Sequence, residues 1–261
     1  MPNSSKITKD ANGGIYLNLV VDTHTHTLAS GHAYSTIIEN AREAGINCME
    51  AIAMTDHGPA MPGAASLLHF WNLKAIPERI YGVRVIRGAE TNILDYSGKL
   101  DIPEGLLSRM EFVIASYHDS VLNPGTMEEN TEGMIKVLKN PCVDAVAHPG
   151  NPVFQVDIER VVRAAAEYGK LIEINNNSFR IRKGSETNCK GFVEQCMKQG
   201  VRITCGTDSH ICFDIGRFDN IQRILDETGM PEELVLCTSL DKVEAFLKER
   251  KPSKLSVATV E

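Results

Sequence analysis

Several features are scarce in this chain, and each scarcity narrows what it can be. No apolar run in its 261 residues reaches the ~18–20 residues that a membrane-spanning helix needs. Met1 to Gly14 is polar and lacks the apolar stretch of a secretory signal, so it reads as a frayed tail leading through Tyr16 into the first strand. The seven cysteines, Cys48, Cys142, Cys189, Cys196, Cys205, Cys212 and Cys237, are odd in number and include no C-x-x-C pair. That argues against a disulfide framework or a thiolate zinc site, and for reduced thiols in a cytoplasmic protein. No basic track offsets the formal net charge of −7. Arg180, Arg182 and Lys183 form a group too small to grip a duplex, so neither nucleic acid nor a membrane is an expected partner. No Pro/Gly/Ser linker divides the chain. The expected layout is a flexible extension over 1–18, one domain over 19–250 and a tail over 251–261.

What is present is a repeated pattern. Short apolar runs rich in Val and Ile, at 19–21, 49–54, 83–87, 112–115, 143–147, 170–174 and 201–205, alternate with longer helical stretches. The clearest helices, 159–168 and 191–199, are each followed by a glycine suited to a C-cap. Seven strand–helix units predict a parallel α/β barrel. The rival is an open doubly wound sheet, but no G-x-G-x-x-G or phosphate-loop signature follows the first strand. The segment 91–101 interrupts the alternation as a short hairpin insertion, and a helix over 241–248 closes the barrel. The chain after Pro252 reads as loosely held.

Six of the eight histidines fall just after one of these strands. His24 and His26 follow the first, His57 the second, His118 the fourth, His148 the fifth and His210 the seventh, while Glu90 ends the third. Parallel strands put all their C-terminal ends on one face, so these residues converge. Residues i and i+2 of a strand point the same way, which lets His24 and His26, or Asp208 and His210, reach one metal together. Imidazole and carboxylate ligands suit Zn²⁺, Mn²⁺ or Fe²⁺. A carboxylate such as Glu90 can bridge two ions, and His32 can fold back over the site from the loop after the first strand. A single histidine at a strand end is usually structural; six on one face, with two alternating pairs, point to metal. His69, in an apolar stretch, reads as a core or supporting histidine.

The runs Asp22-Thr23-His24-Thr25-His26, Thr55-Asp56-His57-Gly58, His148-Pro149-Gly150 and Asp208-Ser209-His210 resemble the signatures of the PHP (polymerase and histidinol phosphatase) superfamily. The likeness covers about 20–247. His32-Ala33-Tyr34-Ser35-Thr36, His148-Pro149-Gly150-Asn151-Pro152, Glu173-Ile174-Asn175-Asn176 and Arg182-Lys183-Gly184-Ser185 resemble its stand-alone bacterial phosphatases with a trinuclear metal centre. The resemblance implies a distorted (β/α)7 barrel holding three divalent ions, zinc foremost, with manganese or iron as alternatives. It implies that His24, His26, Glu90 and Asp208 hold one ion, that Glu90, His118 and His148 hold a second with Glu90 bridging, and that His32, His57 and His210 hold a third. Every expected ligand type is present.

The expected activity is hydrolysis of a small phosphomonoester, with a metal-bridging hydroxide attacking phosphorus and the ions neutralising developing charge. Glu90 and Asp208 are the expected catalytic carboxylates. Asp22 and Asp56 are candidates to orient ligand imidazoles, against carboxylates solvated in a loop at a strand end. Asn175, Arg182 and Lys183 are candidate substrate contacts, against backbone capping for the first and a solvated loop for the others. Arg87 and Gly88 are expected to pack. Rival readings are a histidinol-phosphate phosphatase, a nuclease of the same superfamily, a metal-binding module serving a partner protein without turnover, and an amidohydrolase-like barrel. The last usually wants a carboxylated lysine, and no lysine stands at a strand end. Homo-oligomer formation is compatible with all of these.

Overall fold

The computed structural model describes residues 8, 9 and 15–258. Most of the expected N-terminal extension (1–7 and 10–14) and the last residues of the expected tail (259–261) lie outside the described residues. Ahead of the barrel, Thr8–Lys9 pairs antiparallel with Ile15–Tyr16.

Seven strands build the barrel: β1 (Val21–Thr25), β2 (Ala51–Met54), β3 (Val83–Asn92), β4 (Phe112–Ser116), β5 (Ala145–Val146), β6 (Leu171–Asn175) and β7 (Ile203–Gly206). They pair in sequence order from β1 to β7, and every pair is parallel. A parallel isolated bridge between Thr25 and Ser209 and the Thr23–Thr204 hydroxyl contact at 2.7 Å bring β7 back against β1. The result is a nearly closed barrel, the distorted (β/α)7 fold expected. Parallel neighbours require crossovers, and helices supply them on the outside.

The helices form where the sequence gives them ends and an apolar face. Ile37–Ile46 (α1) opens with a capping box between Thr36 and Glu39. Leu67–Trp71 (α2) and Glu104–Leu107 (α3) are short. Met127–Lys139 (α4) opens with a second capping box, between Thr126 and Glu129. Ile158–Tyr168 (α5) is capped by Asp157 and buries Val161, Val162, Ala164 and Ala165 on one stripe. It ends at Gly169 with φ 63°, the left-handed conformation a glycine adopts without strain. A one-turn helix, Ser178–Ile181 (α6), leads into Ser185–Gln199 (α7). Asp219–Thr228 (α8) turns Ile221, Ile224 and Leu225 inward. Strand residues such as Ile52, Val85, Val113 and Ile172 share the face turned toward the helices and are fully buried. The expected hairpin insertion is present: Ile93 and Leu100 form an antiparallel bridge. No helix among the described residues is long and apolar enough to cross a membrane.

The C-terminal helix departs from expectation. It runs as α9 from Leu240 to Ala258 with Pro252 inside it, where the sequence reading ended the helix at 248. Proline removes one intrahelical hydrogen bond, so something else must hold the segment. Arg250 and Lys254, four residues apart on one helix face, both reach the buried carboxylate of Asp144 at the start of β5. Lys254 also donates to the carbonyls of Met110 and Glu111, and Arg250 to those of Pro141 and Val143. These contacts seal the N-terminal end of the barrel.

Removing one side of a buried ion cluster leaves uncompensated charge, at a cost of about 3–5 kcal/mol. Asp144→Ala should therefore lower the free energy of unfolding by about that amount in a denaturant titration. Lys251→Ala, an exposed change on the same helix, should stay within about 0.5 kcal/mol. Equal effects from the two substitutions would show that the clamp contributes nothing.

Candidate metal centre

The residues expected to converge do converge, at the C-terminal ends of the strands. Two corrections concern how. β1 extends through Thr25, so His24 lies inside the strand, and β3 extends to Asn92, so Glu90 lies inside it too. The backbone at this end also closes the barrel. His26 N–H donates to Ser209 O and Asp208 N–H to His24 O, each at 2.9 Å, and His57 bridges in parallel to Glu90.

Glu90 stands at the centre of the cluster. Its Oε2 lies 2.6 Å from His57 Nδ1, 3.4 Å from His24 Nε2 and 3.5 Å from His26 Nε2. Its Oε1 lies 2.9 Å from His148 Nε2 and 3.4 Å from His118 Nε2. Asp208 Oδ1 lies 3.1 Å from His26 Nε2 and 3.5 Å from His24 Nε2. His210 and His32 complete the cluster, their Nε2 atoms 3.0 Å apart. All nine expected ligands are thus joined in one contiguous group. Three overlapping sets, His24–His26–Glu90, His57–Glu90–His118 and His26–His57–His210, each bring their ligand atoms within 4.8 Å of one another. His24, His26 and Glu90 are fully buried, whereas His32 is exposed and His118 and His210 are half-buried, so the cluster opens to solvent on that side.

The hydrogen bonds around the rim decide which ring nitrogens carry protons. His32 Nδ1 faces the Ser30 carbonyl at 3.1 Å and His210 Nδ1 the Asp208 carbonyl at 2.9 Å. His118 Nδ1 faces Asn92 Oδ1 at 2.8 Å, and His24 Nδ1 faces Glu173 Oε1 at 2.7 Å. His26 Nδ1 lies 3.0 Å from Ser30 Oγ, whose own hydrogen goes to Asp56 Oδ1. All five partners accept, so Nδ1 carries the proton and a neutral ring presents a lone pair at Nε2. Those lone pairs meet head-on: His24 Nε2 and His26 Nε2 are 3.0 Å apart, as are His32 Nε2 and His210 Nε2. Two acceptors at that distance repel unless a proton or a metal ion lies between them. Glu90 Oε2 and His57 Nδ1 are buried without a hydrogen-bond partner of proper geometry. The donor set and these orphaned atoms fit divalent metal ions.

Electrostatics and backbone strain agree with that fit. Burial works against charge on Glu90, yet His57, His24 and His118 hold its carboxyl well below the usual range. Burial likewise opposes charge on Asp208, and His24, His26 and Arg182 hold it low. Burial, with Arg182 nearby, pushes the His148 imidazole down to about 3, which keeps it neutral and able to donate a lone pair. His148 and Asp208 both adopt positive φ, 34° and 55°. Strain of this kind persists where the surroundings fix a side chain for a task.

The supporting residues differ in part from expectation. Asp22 does not orient an imidazole; it accepts from Thr207 N–H and Oγ1–H, from Gly216 N–H and from His24 N–H, and so fixes backbone. Asp56 reaches an imidazole of the cluster only through Ser30: it binds Ser30 Oγ, and Ser30 receives His26 Nδ1–H. His69 lies behind it, with Nε2 3.2 Å from Asp56 Oδ2, outside the cluster. Asn175 is fully buried, its Oδ1 accepting from Ser178 N–H and Oγ–H and its amide donating to Glu173. Capping, not the expected substrate contact, occupies it. Arg182 lies 3.4 Å from Asp208 Oδ2, beside the cluster, while Lys183 is exposed. Arg87 packs as expected, paired with Glu111. Glu173 stands in a run that resembles the phosphatase branch, but the sequence assigned it no role. Its signal was a carboxylate inside the otherwise apolar run 171–174, on the strand with no expected ligand.

The family model described as the PHP domain matches residues 22–179. A protein named "Probable phosphatase" from Acetivibrio thermocellus is 60% identical over 235 residues, 90% of this chain and 98% of that one. Another so named, from Caldanaerobacter subterraneus subsp. tengcongensis, is 53% identical over 241 residues, 92% of this chain and 95% of that one. Among solved structures, histidinol phosphate phosphatase from Lactococcus lactis, complexed with zinc, L-histidinol and phosphate, is similar in fold. Its TM-score is 0.59 at 20% identity, covering 81% of this chain and 94% of that one. With the model spanning more than half of the chain and relatives this similar over nearly its full length, the chain belongs to the PHP family.

Proposed function

We propose that this protein is a metal-dependent phosphatase that hydrolyses a small phosphomonoester at the buried histidine–carboxylate cluster. The observation that carries the reading is the pair of opposed Nε2 contacts, which a bound metal ion relieves, together with the buried, unpartnered Glu90 Oε2. Relatives of 60% and 53% identity named as probable phosphatases support the reaction class. The zinc in the Lactococcus lactis protein supports the choice of metal.

His24, His26, Glu90 and Asp208 would hold one ion, Glu90, His118 and His148 a second, and His32, His57 and His210 a third. Divalent ions bound there would supply Lewis acidity to phosphate oxygens and lower the pKa of an attacking water. The chain's own residues do the rest. Glu90 is the anion placed between groups of imidazoles, so it lowers the repulsion between neighbouring cations. Asp208 adds a second negative charge at the same place. Arg182 lies near enough to Asp208 to offer its guanidinium to a phosphate oxygen, and exposed Lys183 follows it on the rim. The Nδ1 anchors on Ser30, Asn92 and Asp208 O hold the rings so that little rearrangement is needed when charge develops. No strongly basic track leads to the site, which favours a small substrate over a nucleic acid.

Elemental analysis of protein reconstituted with zinc should give about three ions per chain, since nine ligands with one shared suit that number. A reproducible ratio near one removes the trinuclear assignment. The loaded protein should release phosphate from a generic phosphomonoester and leave single- and double-stranded DNA intact; efficient DNA cleavage would reverse the proposal. Glu90→Gln keeps the shape and loses the bridging charge. It should lose at least one ion and about 100-fold or more in turnover, beyond the 10–100-fold typical of outer ligand partners. His69→Gln, behind Asp56, should cost far less at equal metal loading. Retention of full metal content and activity by the Glu90 variant would show that Glu90 is not the bridge.

A further inference from the structure

β6 contributes no expected metal ligand, yet it buries a carboxylate among Leu171, Ile172 and Ile174, with Glu173 only 2% exposed. A buried carboxylate must be met by donors. Glu173 has three. Oε1 accepts from His24 Nδ1–H at 2.7 Å, and Oε2 accepts from the His148 backbone N–H at 2.7 Å and from Asn175 Nδ2 at 3.3 Å. Of the five Nδ1 acceptors around the cluster, Glu173 is the carboxylate; the others are a hydroxyl, two carbonyls and an amide. An anion on Nδ1–H makes the imidazole a better ligand at Nε2. The second oxygen holds the peptide N–H of a residue in strained backbone, His148 at φ 34°.

Space for this arrangement comes from β7. A Cβ on Gly206 would stand 2.4 Å from Glu173 Oε1 and 2.3 Å from His24 Cβ, so any side chain there would drive the two apart. The absence of that side chain is what lets the carboxylate meet the ring.

We infer that Glu173 is a positioning residue that couples two parts of the metal centre, fixing His24 with one oxygen and His148 with the other. This deepens the metal-dependent reading above and rests on it. His24 and His148 serve different ions that share Glu90, so Glu173 sets the affinity of both together. It touches neither metal nor substrate.

The test measures zinc affinity by competition with a chromophoric chelator, on the chelator-stripped parent chain and on Glu173→Gln. Glutamine loses the negative charge that strengthens both contacts and turns an N–H toward either His24 Nδ1–H or the His148 N–H, so one anchor fails and the other weakens. The variant should bind two ions about 10–100-fold more weakly and leave one at the parental affinity. A second measurement does not depend on the variant folding. Nitrogen-15 spectra of the zinc-loaded parent should show His24 Nδ1 protonated, with its proton shifted downfield by the carboxylate. Parental affinity for every ion in the variant, or an unprotonated Nδ1 on His24, overturns this inference alone. A parent chain that takes up no zinc overturns the metal reading itself, and this inference with it.

Discussion

Two backbone hydrogen bonds, His26 N–H to Ser209 O and Asp208 N–H to His24 O, draw β7 onto β1 at the C-terminal end of the barrel. The side chains of three of those residues belong to the polar cluster. Closing the barrel and assembling the site are therefore one event. A sheet left open between β1 and β7 would separate Asp208 and His210 from His24, His26 and His32. Every contact between those two groups depends on that closure.

Closure also creates an electrostatic problem. It buries Glu90, Asp208, His24, His26, His57 and His148 together, where ionised groups lose hydration and are tolerated only when compensated. The chain compensates from outside inward. Carbonyls, Ser30, Asn92 and Glu173 take the Nδ1 protons, and Asp22 and Asp56 take the backbone and hydroxyl donors of the loops that carry the rings. Each step leaves lone pairs and negative charge facing the centre, a preference for cations built into the hydrogen-bond network. Metal uptake and stability are expected to be linked for the same reason.

The opposite end of the barrel solves a different problem. There Asp144 gathers Arg250 and Lys254 and pins α9 beneath β4 and β5. Lys254 and Arg250 there donate to carbonyls and to the one carboxylate. In barrels of this type the C-terminal ends of the strands carry chemistry and the N-terminal ends carry stability. The two buried charge clusters follow that division.

Much of this was determined by the sequence. Seven alternating apolar runs point to a parallel barrel, and residues near the ends of parallel strands share a face whatever the helices do, which is why six histidines with Glu90 and Asp208 were legible as a set; His32, in a loop, completed the nine through the family resemblance. Strand ends were less legible: β1 and β3 run on through polar residues because the barrel interior at that end is polar, and apolar periodicity cannot register that. Pro252 signalled a helix end, but Arg250 and Lys254 hold α9 through it, a tertiary contact overriding a local preference. Only the folded chain decided what each carboxylate accepts from. Asp22 turned to backbone, Asp56 to Ser30, and Glu173 to His24 and His148, because partners 149 residues apart, as Glu173 and His24 are, meet only after the strands close. Strand order and residue type fix where a side chain stands; which donor it meets is fixed by angles and distances of a few ångströms, and those come from packing.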